Sequence, residues 1–178
     1  MKSPRFLLSV VLLSLSTVAF AQSAATAAPS EAQKSFDRLK TLAGTWEGTL
    51  KTDPPTPEVD GKHALATLRV TSMGNAIVHE MKIDGREDDP ITMLYMDNDR
   101  LTLVHYCDAG NRPRMIARPS PDGKTVEFDF ADVSGSTQYG HMHHAMFTAV
   151  DASHHTEDWV FMTGDKPVHV HFDLQRTK

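Results

Sequence analysis

The chain of 178 residues predicts an all-β protein, a single antiparallel up-and-down β-barrel of about ten strands with one short N-terminal helix. Three observations predict it. Apolar residues recur with a period of two from Thr45 onward, which is the side-chain period of a strand. Short clusters of Gly, Pro, Asn and Asp interrupt the pattern at close intervals. A meander of ten short strands removes its exposed edges best by closing on itself. A two-sheet sandwich is the alternative, because spacing alone does not establish closure.

The chain begins with a basic lead, Lys2 and Arg5, and an apolar run from Phe6 to Phe20 broken only by Ser and Thr. Ala19-Phe20-Ala21 has the small-x-small pattern of a signal-peptidase site, so residues 1–21 are expected to be a signal peptide and Gln22 the mature start. The run is shorter than the roughly 20 residues of a bilayer span, and no Cys follows it to carry a lipid. A periplasmic or secreted location is expected, with no stable membrane insertion after cleavage. Loss of Lys2 and Arg5 takes the formal charge from −5 to −7. No basic stripe then exists to neutralise phosphates, so nucleic acid is not an expected partner. Cys107 is the lone cysteine and excludes an intramolecular disulfide.

Residues 22–30 are Ala/Ser/Thr-rich and read as a disordered leader, and residues 31–178 as the barrel domain. Ser30 is a good N-cap, with Gln33 at the capping-box position. Ala32, Phe36, Leu39 and Ala43 share one helical face, and Gly44 can end the helix in the left-handed conformation. Strands follow at Thr45–Lys51, Lys62–Ser72, Ala76–Ile83, Ile91–Met96, Leu101–Cys107, Arg112–Arg118, Thr125–Ala131, His141–Val150, His155–Met162 and Val168–Arg176. Alternation turns Ile77, His79, Met81 and Ile83 to one face, and Leu101, Leu103, His105 and Cys107 likewise, so a histidine from each is expected inside. Val168, Val170, Phe172 and Leu174 are expected inward, with His169 and His171 outward.

Gly44-Thr45-Trp46-Glu47-Gly48, opening the first strand, resembles the Gly-x-Trp start of lipocalin-like (calycin) barrels. That resemblance implies that Trp46 closes one barrel end beneath an Arg near the end of the last strand, for which Arg176 is the match. The stretch Leu103 to Met115, with His105-Tyr106-Cys107-Asp108-Ala109-Gly110-Asn111-Arg112-Pro113-Arg114-Met115, and Gly140-His141-Met142-His143-His144 resemble a family of exported bacterial proteins with this fold and no established activity. The Gly-x-Trp-x-Gly piece is more distantly similar to nitrobindin-type haem barrels. Thr49-Leu50-Lys51 departs from their further glycines, and nothing matches their haem-ligating histidine, so no cofactor is named.

Three chemistries are open. A lumen for a small apolar or amphipathic molecule would use His79, His105, Tyr95 and Tyr106 as its polar groups, with Arg114 and Arg118 binding a carboxylate at the mouth. The abundant methionines suit an adaptable apolar pocket. A metal would draw on His79, His105, Cys107 and His143 or His144, or on His141/His143 and His169/His171 if their strands are neighbours. His154 and His155 read as exposed turn residues. Catalysis by Cys107 and His105, oriented by Asp108, lacks a nucleophile-elbow sequence, so the reading leans away from an enzyme. The segment from Val133 to Gly140 is loose enough for a lid. The sequence favours a small-molecule-binding barrel; the alternatives are a histidine-based metal-binding protein and an interaction module without a pocket. Intact-mass measurement of the protein from a periplasmic fraction should match a chain starting at Gln22, and a chain still starting at Met1 there contradicts the signal peptide.

Overall fold

The computed structural model describes residues 28–118, 120 and 122–177. The expected signal peptide and residues 22–27 of the expected leader lie outside the described residues. Helix α1 spans Glu31–Thr41, and ten strands follow: β1 Gly44–Asp53, β2 His63–Thr71, β3 Ala76–Ile83, β4 Ile91–Asp97, β5 Arg100–Tyr106, β6 Arg112–Arg118, β7 Thr125–Ser134, β8 His141–Ala149, β9 His154–Thr163 and β10 Lys166–Arg176. Every strand pairs antiparallel with its sequence neighbour, and β1 pairs with β10 to close the barrel. The architecture is therefore the closed up-and-down barrel, not the sandwich.

Half of the capping box forms. Ser30 accepts a hydrogen bond from the Gln33 backbone N–H, whereas the Gln33 side chain turns forward and donates to Asp37. The helix stops at Thr41, earlier than Gly44, which instead opens β1 with φ at 145°. Phe36 and Leu39 of α1 join Trp46, Leu101, Leu103 and Leu174 in one buried core, with α1 lying against β4 and β5. Burying each such side chain stabilises by roughly 1.5–3 kcal/mol.

The seam between the first and last strands is fixed by one arginine. Trp46 and Arg176 are register partners, and the guanidinium lies 4.0 Å over the indole ring. The same group donates to the carbonyls of Thr41 and Ala43 at the end of α1 (2.9 and 2.7 Å) and to Ala152 (2.9 Å). A cation there also meets the negative end of the helix dipole. The Trp46 indole N–H donates to Leu42 O at 2.8 Å. Closure is tight enough that a Cβ at Gly48 would stand 1.7 Å from Asp173 O, which explains the second glycine of the opening motif.

Bulges at Ala131, opposite Arg114/Met115, and at His143, between Met142 and His144, re-aim β7 and β8. Just before β6, Asn111, 1% exposed, donates to Ser136 O and Gly140 O at 2.8 and 2.7 Å. The loop that the sequence leaves loose enough for a lid is thereby pinned to the barrel wall. Arg176→Ala should cost roughly 2–4 kcal/mol in urea unfolding, and Arg176→Lys should recover less than half of that, because an ammonium cannot serve the ring and three carbonyls together. Gly48→Ala should cost at least about 3 kcal/mol, since backbone on both strands must move.

Candidate functional site

Above the Trp46 layer, which forms the base, the inward side chains of β9 change character. Alternation places His155, Glu157 and Trp159 inside, and all three are buried; His155 and Glu157 are 0% exposed. The expectation that His155 sits exposed in a turn is corrected: β9 starts at His154, one residue earlier, and pairing of His155 with Leu174 turns it inward. Glu157 pairs with Phe172 and faces the core in the same way.

The Glu157 carboxylate accepts from His155 Nε2 at 3.0 Å and from the Trp159 indole N–H at 3.1 Å. His79 Nε2, from β3, lies 3.2 Å from the same carboxylate but off the line of a hydrogen bond, and neither His79 ring nitrogen has a hydrogen-bond partner among the described residues. Burial on its own would push the Glu157 carboxyl up; the charge of His79 and the hydrogen bond from His155 outweigh it and hold the group well below the usual carboxylate range. Across the lumen, Thr92 Oγ1 bonds His105 Nδ1 at 2.8 Å. Burial, then the charge of His79, pushes the His105 imidazole down to about 4, so it is neutral near pH 7. The rings of His79 and His105 both lie against Trp159, with centroids 6.1 and 5.5 Å away.

Above this polar layer the lumen is hollow. A pocket of about 70 Å³ is bounded by His79, Thr92, His105 and Trp159. It shares Ile83, Pro90, His105, Met142 and Phe172 with a chamber of about 350 Å³ that leads outward past Leu50, Val59 and Val170. The rim is charged, with Arg86 paired to both Asp88 and Asp108. The β1–β2 connection is folded against the mouth, where Asp60 accepts from the backbone N–H of Thr52 (2.7 Å) and Thr52 Oγ1 accepts from the backbone N–H of Thr56 (2.7 Å).

Of the residues singled out in the sequence, His79 and His105 come together in the lumen. Four others do not. Tyr106 is 49% exposed and lies in an outer groove with Ile91 and Met93, because His105 beside it points in. Tyr95 alternates with the buried Thr92 and Leu94 and so belongs to the outer face. Arg114 alternates with the buried Met115 and pairs with Asp132 outside; Arg118 pairs with Glu127 and Asp129. The arginine at the mouth is Arg86.

The expected metal set His79, His105, Cys107, His143 and His144 does not assemble. His144 faces outward between Glu127 and Asp129, 3.5 and 3.4 Å away, and these three are the one group of close metal-ligand atoms among the described residues. His143 stacks on Phe130 with centroids 4.6 Å apart and meets His141 at 3.3 Å. The pairs His141/His143 and His169/His171 cannot share a metal across neighbouring strands, because β9 separates β8 from β10. His169 and His171 do face outward, and His171 bonds Asp158 at 2.6 Å. Cys107 lines the outer chamber, 3.4 Å from Asp108, and burial together with that carboxylate pushes its thiol up to about 11. That is the reverse of an activated nucleophile. The methionines are divided: Met81 and Met142 reach the inner pocket, Met115 is core, and Met73 is fully exposed.

The fold and this interior define a class: a closed antiparallel barrel with one sealed end, one charged mouth and a hollow between them. No protein-family model matches the chain, and no curated protein matches it. Among solved structures it is similar to a DUF3598-family protein of unknown function from Nostoc punctiforme PCC 73102, with TM-score 0.53 and 8% identity over 78% of this chain and 49% of that one. The chain thus spans about half the length of that protein, and the likeness is one of fold. A Bacteroides fragilis NCTC 9343 protein described as a "putative outer membrane protein" aligns at 10% identity over 79% of this chain and 99% of that one, with a TM-score of 0.19 too low to carry an argument.

The depressed His105 has a definite consequence for stability. An unfolded imidazole takes up its proton near 6.5 and the folded one only near 4, so the stability tied to this group is present above 6.5 and is lost as pH falls toward 4. The loss should reach about 3 kcal/mol. Urea midpoints measured from pH 7 to pH 4.5 should fall accordingly, and His105→Phe should flatten the fall. An unchanged slope in His105→Phe contradicts the assignment.

Proposed function

We propose that the protein is an exported, calycin-like barrel that binds a small apolar or amphipathic molecule in its lumen. The observation that carries this reading is the hollow itself. An apolar chamber of about 350 Å³ runs into a pocket walled by two buried imidazoles, one of them without a hydrogen-bond partner among the described residues. That volume lies at the low end of ordinary ligand sites, roughly 300–1,000 Å³, and apolar walls with a few polar groups are their usual chemistry. Export rests on the basic lead, the apolar run and the Ala19-Phe20-Ala21 cleavage pattern.

The alternatives have less behind them. At the Glu127–Asp129–His144 group, Arg118 already engages both carboxylates. The exposed large apolar residues Val70, Met73, Ile91, Tyr106, Tyr139 and Val150 include one cross-strand pair, Ile91 and Tyr106, and the rest lie on separate elements and do not build a docking face. Titration with 1-anilinonaphthalene-8-sulfonate should show saturable fluorescence at one site per chain. Ile83→Trp, which fills the passage between chamber and pocket, should remove it. Absence of saturable binding, or binding untouched by Ile83→Trp, contradicts the reading.

A further inference from the structure

Resting on that reading, we infer that the lumen floor is a receptor for the carboxyl head of an amphipathic organic acid, which His79 and His105 hold together with one proton. The floor has the shape for it. Both imidazoles bound the pocket of about 70 Å³, which admits a head group of a few heavy atoms and leaves the tail to the apolar chamber above. Both also have nitrogen capacity to spare: among the described residues neither His79 nitrogen has a hydrogen-bond partner, although Nε2 lies 3.2 Å from Glu157, and the hydrogen bond of His105 is made by Nδ1, to Thr92. A carboxyl group has two oxygens for two imidazoles. A hydroxyl has one oxygen, and the alkoxy oxygen of an ester accepts weakly and carries no proton, so with either group one ring stays unserved at about 1–3 kcal/mol for an unsatisfied buried group.

The proton follows from charge. One carboxylate, Glu157, is already buried here, and its compensating hydrogen bonds come from His155 and Trp159. A second bare anion in the same low-dielectric space is costly unless it is neutralised. His105 is the group that can neutralise it, since burial leaves the ring uncharged in the empty lumen and a neighbouring carboxylate favours its charged form. The other titratable groups around the cavity do not supply the charge. His79 stands against Glu157, Cys107 holds its own proton, and Arg86 at the rim is engaged by Asp88 and Asp108. Whether the proton rests on the imidazole or on the carboxyl, one proton enters with the ligand. Arg114 and Arg118, which a carboxylate at the mouth would need, are committed to acidic partners on the outer wall.

The test compares dodecanoic acid, its methyl ester and 1-dodecanol by isothermal titration calorimetry on the purified protein, in two buffers of different ionisation enthalpy. At pH 6 the acid should bind at least about tenfold more tightly than either neutral analogue, equivalent to roughly 1.4 kcal/mol. Its uptake should be close to one proton, and its affinity should fall roughly tenfold per pH unit between pH 6 and pH 8. His105→Phe should erase the preference for the acid while 1-dodecanol still binds. Equal affinity for acid, ester and alcohol, or acid binding without proton uptake, overturns the carboxyl-receptor assignment and leaves lumen binding standing. Failure of all three to bind overturns the lumen reading itself. The comparison on the unaltered protein decides the matter even if His105→Phe does not fold.

Discussion

The structure depends on the pairing of its first strand with its last. Without the β1–β10 ladder the sheet has two edges and no interior, and His79, Glu157 and His105, far apart in sequence, have no reason to meet. Arg176 secures that ladder because it serves two partners at once: it caps the Trp46 ring and ties down the end of α1. The sealed end therefore belongs to the same interaction as closure. The barrel needs no plug elsewhere, and the opposite end is left for the hollow.

A polar layer between an apolar base and a hollow is expensive, and its arrangement shows how the cost is contained. The Glu157 carboxylate has a donor on each oxygen, and the aromatic faces of Trp46, Phe147 and Trp159 pack around the imidazoles. Thr92 fixes the His105 ring from the adjacent strand. Of the five buried polar side-chain atoms without a partner among the described residues, two are the ring nitrogens of His79, which adjoins the hollow; the others are His155 Nδ1, Thr102 Oγ1 and Asn111 Oδ1. Buried polar groups without partners are uncommon in native interiors, so the position of His79 against a cavity is the feature that asks for an occupant.

Much of the fold was legible in the sequence, since period-two patterning and turn residues locate all ten strands to within a few residues at each end. The inward direction of His79 and His105 was legible for the same reason. Glu157 was not, because a rule that turns apolar residues inward assigns a glutamate to water. The signal that does find it is register. The two-residue turn Gly164-Asp165 pairs Thr163 with Lys166, and counting along that hairpin sets Glu157 opposite Phe172 and His155 opposite Leu174. Tyr95, Tyr106, Arg114 and Arg118 have the chemistry of a binding site, but alternation gives the inner face to a strand neighbour of each. Joint ligation by His79, His105, Cys107, His143 and His144 needed distances between strands, which no spacing in one chain provides.

The division of methionines between lumen and outer wall allows the central claim to be tested at the level of single side chains. In a spectrum of methyl-labelled methionines recorded with and without dodecanoic acid, Met81 and Met142 line the inner pocket, while Met93 and Met146 lie in outer grooves and Met73 is in solvent. The account predicts shifts at Met81 and Met142 that saturate at one equivalent and leave Met73, Met93 and Met146 in place. Saturating shifts at the outer methionines with Met81 and Met142 unmoved would contradict it.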